Sequence, residues 1–319
     1  MRLLFFGSPD FSVPTLRVLH RDEHDIALVV TRPDRPRGRG REPAATAVKK
    51  AAAELGLEVY QPETVNSEAA VTRFRGTRAD LAVVIAYGEI LSRDVLASTE
   101  RGFINVHASL LPDYRGAAPI NWAVMRGEET TGVSVIRMSP ELDAGPILAT
   151  REVPIGPAET AGELHDRLAE VGAEAAADVV NRMEEGLPVE ERPQPEEGRF
   201  FARKLTKEDG MMDWSRKAED IRNRVRGLRP WPGAYSYLES ADGRVRVELL
   251  RVETAEADGD GEPPGTVLRA DDQEGIVVQT GDGTVRLTEL KPAGGRAMSD
   301  VDFLHGHPVE PGDRFVSEV

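Results

Sequence analysis

The run from Phe103 to Pro112 is an apolar strand pattern that opens into a Ser109-Leu110-Leu111-Pro112 loop. Asn105 and His107 lie two residues apart on it, so both side chains leave the same face near the strand's carboxyl end. In open parallel sheets that end is where ligands gather. An amide beside an imidazole can direct two hydrogen bonds at an oxygen that gains charge, as acyl transfer through a tetrahedral intermediate requires. Taken alone, such a pair is more often bonded to backbone partners. A third group decides. Asp143, in the turn-rich stretch Pro140 to Pro146 after the apolar run Gly132 to Met138, supplies a carboxylate. If those strands run parallel, their following loops lie side by side. Asp143 would then orient the imidazole, hold it charged, or take a proton from an attacking amine through water. The plainer role is a turn residue.

Positioning these groups requires a sheet. Apolar runs of strand length at Arg2–Phe6, Asp25–Val30, Glu58–Tyr60, Asp80–Ile85, Phe103–His107 and Gly132–Met138 alternate with helical patterns such as Ala44–Leu55 and Glu159–Glu184. That alternation predicts an α/β fold, a doubly wound, Rossmann-like parallel sheet, over residues 1–186. Residues 187–205 open with proline and charge but no apolar period, and read as a linker. Over 206–319, an amphipathic helix (Ala218–Leu228) precedes five short strand patterns, Ala234–Leu238, Val245–Val252, Gly265–Arg269, Gly275–Gln279 and Val285–Leu290. These predict a small OB-like β-barrel. Trp231, between two prolines, is expected in the core.

Composition narrows the chemistry. With 319 residues and no cysteine, thiolate metal sites and cysteine nucleophiles are excluded, and a reducing, cytoplasmic setting is the expectation. The opening Leu3-Leu4-Phe5-Phe6 is too short for a membrane span or signal-peptide core. A net charge of -15 argues against indiscriminate coating of nucleic acid, so any RNA site must be local. Gly7-Ser8-Pro9-Asp10-Phe11 lacks the dinucleotide fingerprint, which disfavours an oxidoreductase.

Asn105-Val106-His107-Ala108-Ser109-Leu110-Leu111-Pro112, then Arg115-Gly116-Ala117-Ala118-Pro119-Ile120, then Leu142-Asp143-Ala144-Gly145 resemble the folate-dependent formyltransferase family. The likeness runs from the Phe6-Gly7-Ser8-Pro9-Asp10-Phe11 opening to Pro311-Gly312-Asp313-Arg314. It implies a catalytic set of Asn105, His107 and Asp143, with Ser109, Leu110, Leu111 and Pro112 helping to bind 10-formyltetrahydrofolate as formyl donor, and no metal. Tyr87, at the end of its strand and before Gly88, is a further candidate for the folate pocket. Asp113-Tyr114 departs from the Arg-Trp or Lys-Tyr that many members carry, so any ionic contact made by a basic residue there is not expected of this chain, while catalysis should survive the change.

The same three groups serve several acceptors, so the acceptor must be read elsewhere. Thr31 to Arg41 holds five arginines and two glycines, the footprint expected for phosphate contact. Arg216 to Arg229 carries six basic residues against two acidic, a second basic stretch unless its charges pair locally. By resemblance, the members acting on methionine carried by initiator tRNA are the best match. That makes Arg35, Arg37, Arg39 and Arg41, with Arg222 and Arg226, the expected tRNA contacts of a monomeric enzyme. The competing acceptor is an amino sugar nucleotide.

Overall fold

The computed structural model describes residues 1–37, 42–195, 200–241, 243–257, 259 and 261–317. It divides into two compact units, one of Met1–Pro119, Thr130–Pro154 and His165–Ala202, the other of Ile120–Glu129, Ile155–Leu164 and Arg203–Val319.

The first unit begins with β1 (Arg2–Gly7), α1 (Val13–Arg21), β2 (Asp25–Val30), the arms β3 (Arg35–Arg37) and β4 (Glu42–Ala44), α2 (Ala47–Glu54), β5 (Val59–Tyr60) and α3 (Glu68–Gly76). It continues through β6 (Leu81–Ile85), α4 (Arg93–Leu96), β7 (Phe103–His107) and β8 (Arg115–Gly116). The α5 helix (Pro119–Met125) belongs to the second unit from Ile120 onward; β9 (Thr130–Arg137), β10 (Ile147–Pro154), α6 (Ala161–Glu184), which is in the first unit from His165, and β11 (Phe201–Ala202) follow. One seven-stranded sheet runs in the order β10-β9-β7-β6-β1-β2-β5. The chain winds outward from β1 through β2 to β5, then returns to β6 beside β1, as in doubly wound sheets.

The five central and outer strands from β7 to β5 are parallel, and the continuously buried LAVVI of β6 is what a strand covered on both faces requires. Phe6 is fully buried among the rings of Phe74, Tyr87 and Phe103, with centroids at 5.2, 5.6 and 5.5 Å. Helix starts are fixed by side-chain caps: Thr46 Oγ1 accepts from the Lys49 N–H at 3.1 Å and Ser67 Oγ from the Ala70 N–H at 3.2 Å. Two features differ from the sequence reading. The strand after β7 in the sheet, β9, runs antiparallel to it, with His107 opposite Ser134 and Asn105 opposite Ile136. The edge strand β10 was not anticipated, because its outward residues are polar and its apolar period is weak.

The second unit holds α7 (Ala218–Gly227), then β12 (Ala234–Ser240), β13 (Gly243–Ala255), β14 (Val267–Asp271), β15 (Gly275–Gln279), β16 (Thr284–Pro292), β17 (Met298–Ser299), α8 (Asp300–Gly306) and β18 (Arg314–Val316). Its antiparallel sheet follows the order β14-β15-β16-β13-β12-β18, and β17 pairs with β16. The two ends curl toward each other: Thr266 bridges Arg314, and the Phe315 N–H donates to the Gly265 carbonyl at 2.8 Å. Gly265 has φ +92°, and a Cβ there would sit 2.2 Å from the Phe315 carbonyl, so this meeting point requires glycine. The five anticipated strands are present, and β18 joins them.

The buried indole of this unit is Trp214, whose Nε1 donates to Ser236 Oγ at 2.9 Å. Trp231 corrects its expected core position: it is 49% exposed. The basic residues of 216–229 are largely engaged. Arg216 faces Asp213, Lys217 faces Asp282, Arg222 bonds Glu219 and Arg229 bonds Glu289, while Arg224 donates to the Asp209 carbonyl. Arg226 is buried, donating to Asn223 Oδ1 at 2.9 Å and to the Gly156 and Glu159 carbonyls at 3.1 Å each. It is a tie within the unit and has no face to offer a phosphate, which corrects its sequence assignment. Counting charges along the chain cannot see carbonyl partners about 70 residues away.

Two stability outcomes follow. Phe6→Ala is expected to destabilise the first unit by about 3–5 kcal/mol, read from the denaturant midpoint. Arg226→Ala leaves three acceptors, one buried and two partly so, without their donor and should cost roughly 1–3 kcal/mol by the same measurement.

Candidate active site

The three groups singled out in the sequence converge at the carboxyl edge of the first unit's sheet. His107 closes β7 and is 6% exposed; Asn105 is half-buried one pleat earlier. Among the described residues none hydrogen-bonds the Asn105 side chain, which leaves its amide free to serve a ligand. The His107 ring is hydrogen-bonded at one nitrogen and faces a carboxylate at the other. Nε2 lies 2.9 Å from the Tyr114 carbonyl, and since a carbonyl only accepts, Nε2 carries the proton. Nδ1 faces Asp143 Oδ2 at 3.7 Å, within ion-pairing range and too far for a direct hydrogen bond.

The approach of Asp143 has a different cause from the one expected. The loop after β9 leaves the sheet beside Ile104, at the opening end of β7, because β9 is antiparallel. It returns toward His107 by folding back on itself. The Arg137 N–H donates to the Pro146 carbonyl at 2.9 Å, and a Cβ on Gly145 would lie 1.8 Å from the Arg137 carbonyl. Asp143 sits in this turn at φ +49°, where its own carboxylate accepts from the Gly116 N–H at 3.0 Å.

The Ser109–Pro112 loop is braced from β9. Ser134 Oγ donates to the Ser109 carbonyl at 2.8 Å and accepts from the Leu111 N–H at 3.0 Å, while Ser109 Oγ donates to the Asp113 carbonyl at 2.7 Å. Ser109 and Leu111 are buried and Leu110 partly so. Strained backbone clusters here as well. Of the five described non-glycine residues with positive φ, Ala86 follows β6, Tyr114 follows β7 and Asp143 lies in the folded loop. Such conformations cost about 1–3 kcal/mol each and persist where the surroundings over-determine them, a recurrent property of functional sites.

The remaining candidates are placed as follows. Tyr87 is 2% exposed, with its ring against Phe6; among the described residues its buried hydroxyl has no hydrogen-bond partner, and burial pushes it up to about 12. Its side chain belongs to the core, which removes it from the lining of a pocket. Ile90, on the loop after β6, and Leu142, beside Asp143, are the exposed apolar side chains in these loops, at 74% and 55%. Arg35 is exposed on the first arm of the β3–β4 hairpin. The side chain of Arg37, and Arg39 and Arg41 entirely, lie outside the described residues. Arg222 remains partly exposed but is held by Glu219. Among the described residues no cluster of His, Asp and Glu could hold a metal ion.

Sequence reading missed three contributors: the Tyr114 carbonyl, Ser134 and Gln194. Gln194 Nε2 donates to the Asp143 and Gly145 carbonyls at 2.8 and 2.7 Å. A carbonyl has no side-chain signal, and the two side chains act across 25 and 49–51 residues.

Comparison with known proteins bears on this arrangement. Residues 1–180 match the formyl transferase family and residues 204–308 its C-terminal domain. The methionyl-tRNA formyltransferase of Roseobacter denitrificans is 44% identical over 315 residues, covering 99% of each chain. That of Rhizobium meliloti is 45% identical over 316 residues, 98% of this chain and 99% of the relative. The crystal structure of HypX from Aquifex aeolicus in complex with tetrahydrofolic acid shares the fold, with a TM-score of 0.61 and 20% identity over 100% of this chain and 51% of that one. With its sheet, its loops and near-complete alignment to these relatives, the chain belongs to the formyl transferase family and groups within it with the methionyl-tRNA formyltransferases.

Proposed function

We propose that this protein transfers the formyl group of 10-formyltetrahydrofolate to the α-amino group of methionine on initiator tRNA, as a monomer in the cytoplasm. The observation that carries the reading is His107 facing Asp143 at the carboxyl end of β7, two residues after Asn105 on the same strand, with His107 Nε2 already committed to the Tyr114 carbonyl. That commitment leaves Nδ1 as the working nitrogen. The near-full-length relatives named for this activity support the acceptor.

The amine nitrogen attacks the formyl carbon, and the C=O electron pair moves onto oxygen. The Asn105 amide and a protonated His107 Nδ1 donate to that oxyanion, the preorganised stabilisation that dominates most acyl transfers. Asp143, across 3.7 Å from Nδ1, balances the imidazolium and receives the proton shed by the attacking amine. Collapse of the intermediate breaks the carbon–N10 bond, and N10 takes up the proton that Asp143 had received from the amine. A methionyl α-amine has a model value of about 8, so a useful fraction is nucleophilic near neutrality and Asp143 need not be a strong base. The braced Ser109–Pro112 loop, with the exposed Ile90 and Leu142, offers the folate a rigid wall and apolar cover. The arginines at positions 35, 37, 39 and 41 supply phosphate contacts for the tRNA, and Arg222 assists from the second unit.

Purified protein incubated with 10-formyltetrahydrofolate and methionyl-tRNA should yield formylmethionyl-tRNA on initiator tRNA in preference to elongator tRNA. Formylation of an amino sugar nucleotide in place of tRNA would overturn the acceptor. Asn105→Ala and His107→Ala should each lower kcat by on the order of 100-fold with the fold intact by circular dichroism. Asp143→Asn, which keeps an oxygen for the Gly116 N–H, should lose about 100-fold or more in single-turnover rate. Replacing Arg39 and Arg41 by Ala should raise the KM for tRNA and flatten its salt dependence by about one unit of log–log slope per lost contact, leaving the folate KM unchanged.

A further inference from the structure

The stretch after α6 reads as a linker in the sequence, yet it crosses the loops of the candidate site. Arg137 donates to Glu191 Oε1 at 2.6 Å, and Arg192 exchanges backbone hydrogen bonds with Ile147 at 2.8 and 2.9 Å. Farther on, Phe201–Ala202 pairs with Arg115–Gly116, and the Ala202 carbonyl accepts from the Ala117 and Ala118 N–H groups at 2.8 and 3.1 Å. Between these two anchors lies Gln194.

Every hydrogen-bonding group of the Gln194 amide is used. Nε2 donates to the carbonyls of Asp143 and Gly145, and Oε1 accepts from the Arg115 guanidinium, with Nε at 3.1 Å. Two carbonyls on one side and a guanidinium on the other leave a single sensible orientation of the amide. The two loops it joins are the two that set the Asp143 carboxylate. One carries Asp143 itself at φ +49°, and the other carries Gly116, whose N–H donates to Oδ2 at 3.0 Å.

We infer that Gln194 is a positioning residue for the formyl transfer proposed above: it clamps the left-handed turn at Asp143 to the Arg115-Gly116 loop and so fixes the carboxylate opposite His107 Nδ1. A carboxylate in its place accepts from Arg115 but cannot donate to either carbonyl. Gln194→Glu therefore preserves size and the arginine contact while removing the restraint on Asp143. Displacing a catalytic group by about 1 Å costs on the order of 100-fold in rate without weakening substrate binding.

The test is steady-state and single-turnover formylation of methionyl-tRNA by the full chain, comparing the parent protein with Gln194→Glu, Gln194→Ala and Arg192→Ala. Arg192 holds the same segment through its backbone alone, and its side chain is exposed, so Arg192→Ala should match the parent. Both Gln194 variants should lose about 10- to 100-fold in kcat, with KM for folate and for tRNA within about twofold of the parent. In an Asp143→Ala background, Gln194→Glu should cost less than about a further twofold, since its effect runs through Asp143. A kcat for Gln194→Glu within about twofold of an active parent, or a full multiplicative loss in the Asp143→Ala background, overturns the positioning role. A parent protein that formylates no methionyl-tRNA overturns the proposed function instead.

Discussion

A histidine ring has two nitrogens, and this fold spends one of them. Once Nε2–H is bonded to the Tyr114 carbonyl at 2.9 Å, the ring can neither rotate nor exchange tautomers without stranding a buried acceptor. The direction of Nδ1 is then set by backbone, and backbone is set by the turn that follows β7. Tyr114 itself pays a conformational cost, φ +59°, to present that carbonyl, and its ring is held against Phe200 at 5.3 Å between centroids. The imidazole is therefore aimed by the chain seven residues downstream of it, and the carboxylate that faces it plays no part in the aiming.

His107 and Asp143 are held by separate means. His107 is fixed by its own strand and turn, within one short stretch of sequence. Asp143 is fixed by long-range ties: the Gly116 N–H, the Gln194 amide and the near-collision of Gly145 with the Arg137 carbonyl. The 3.7 Å gap between them is what two independently anchored groups leave when neither is pulled onto the other. A gap of that size keeps Nδ1 open to a third atom.

How much of this was legible beforehand follows the range of the interactions. Asn105 and His107 were found because period-two alternation is a local rule, and β7 obeys it. The doubly wound sheet was legible for the same reason, strand by strand. Asp143 was identified on a premise that the sheet does not keep: β9 runs antiparallel to β7, and a fold-back in the loop, marked only by Gly145, makes up the difference. Arg226 was misread because a run of basic residues looks alike whether its charges face solvent or the carbonyls of Gly156 and Glu159. Gln194 carried no signal, since a polar residue in a proline-rich, charged stretch has no period to betray its partners.

The two compact units do not coincide with two halves of the chain. Ile120–Glu129 and Ile155–Leu164 belong with Arg203–Val319, so the polypeptide passes from one unit to the other five times. Recombination between relatives at a single breakpoint near residue 204 would therefore exchange a sequence domain but split a physical one. A C-terminal segment moved in this way would meet a foreign 120–129 and 155–164, including foreign carbonyls for Arg226. Modules that inherit their packing partners from elsewhere in the gene are expected to diverge together, and the substitutions that accumulate in 203–319 should be answered by substitutions in those two short stretches.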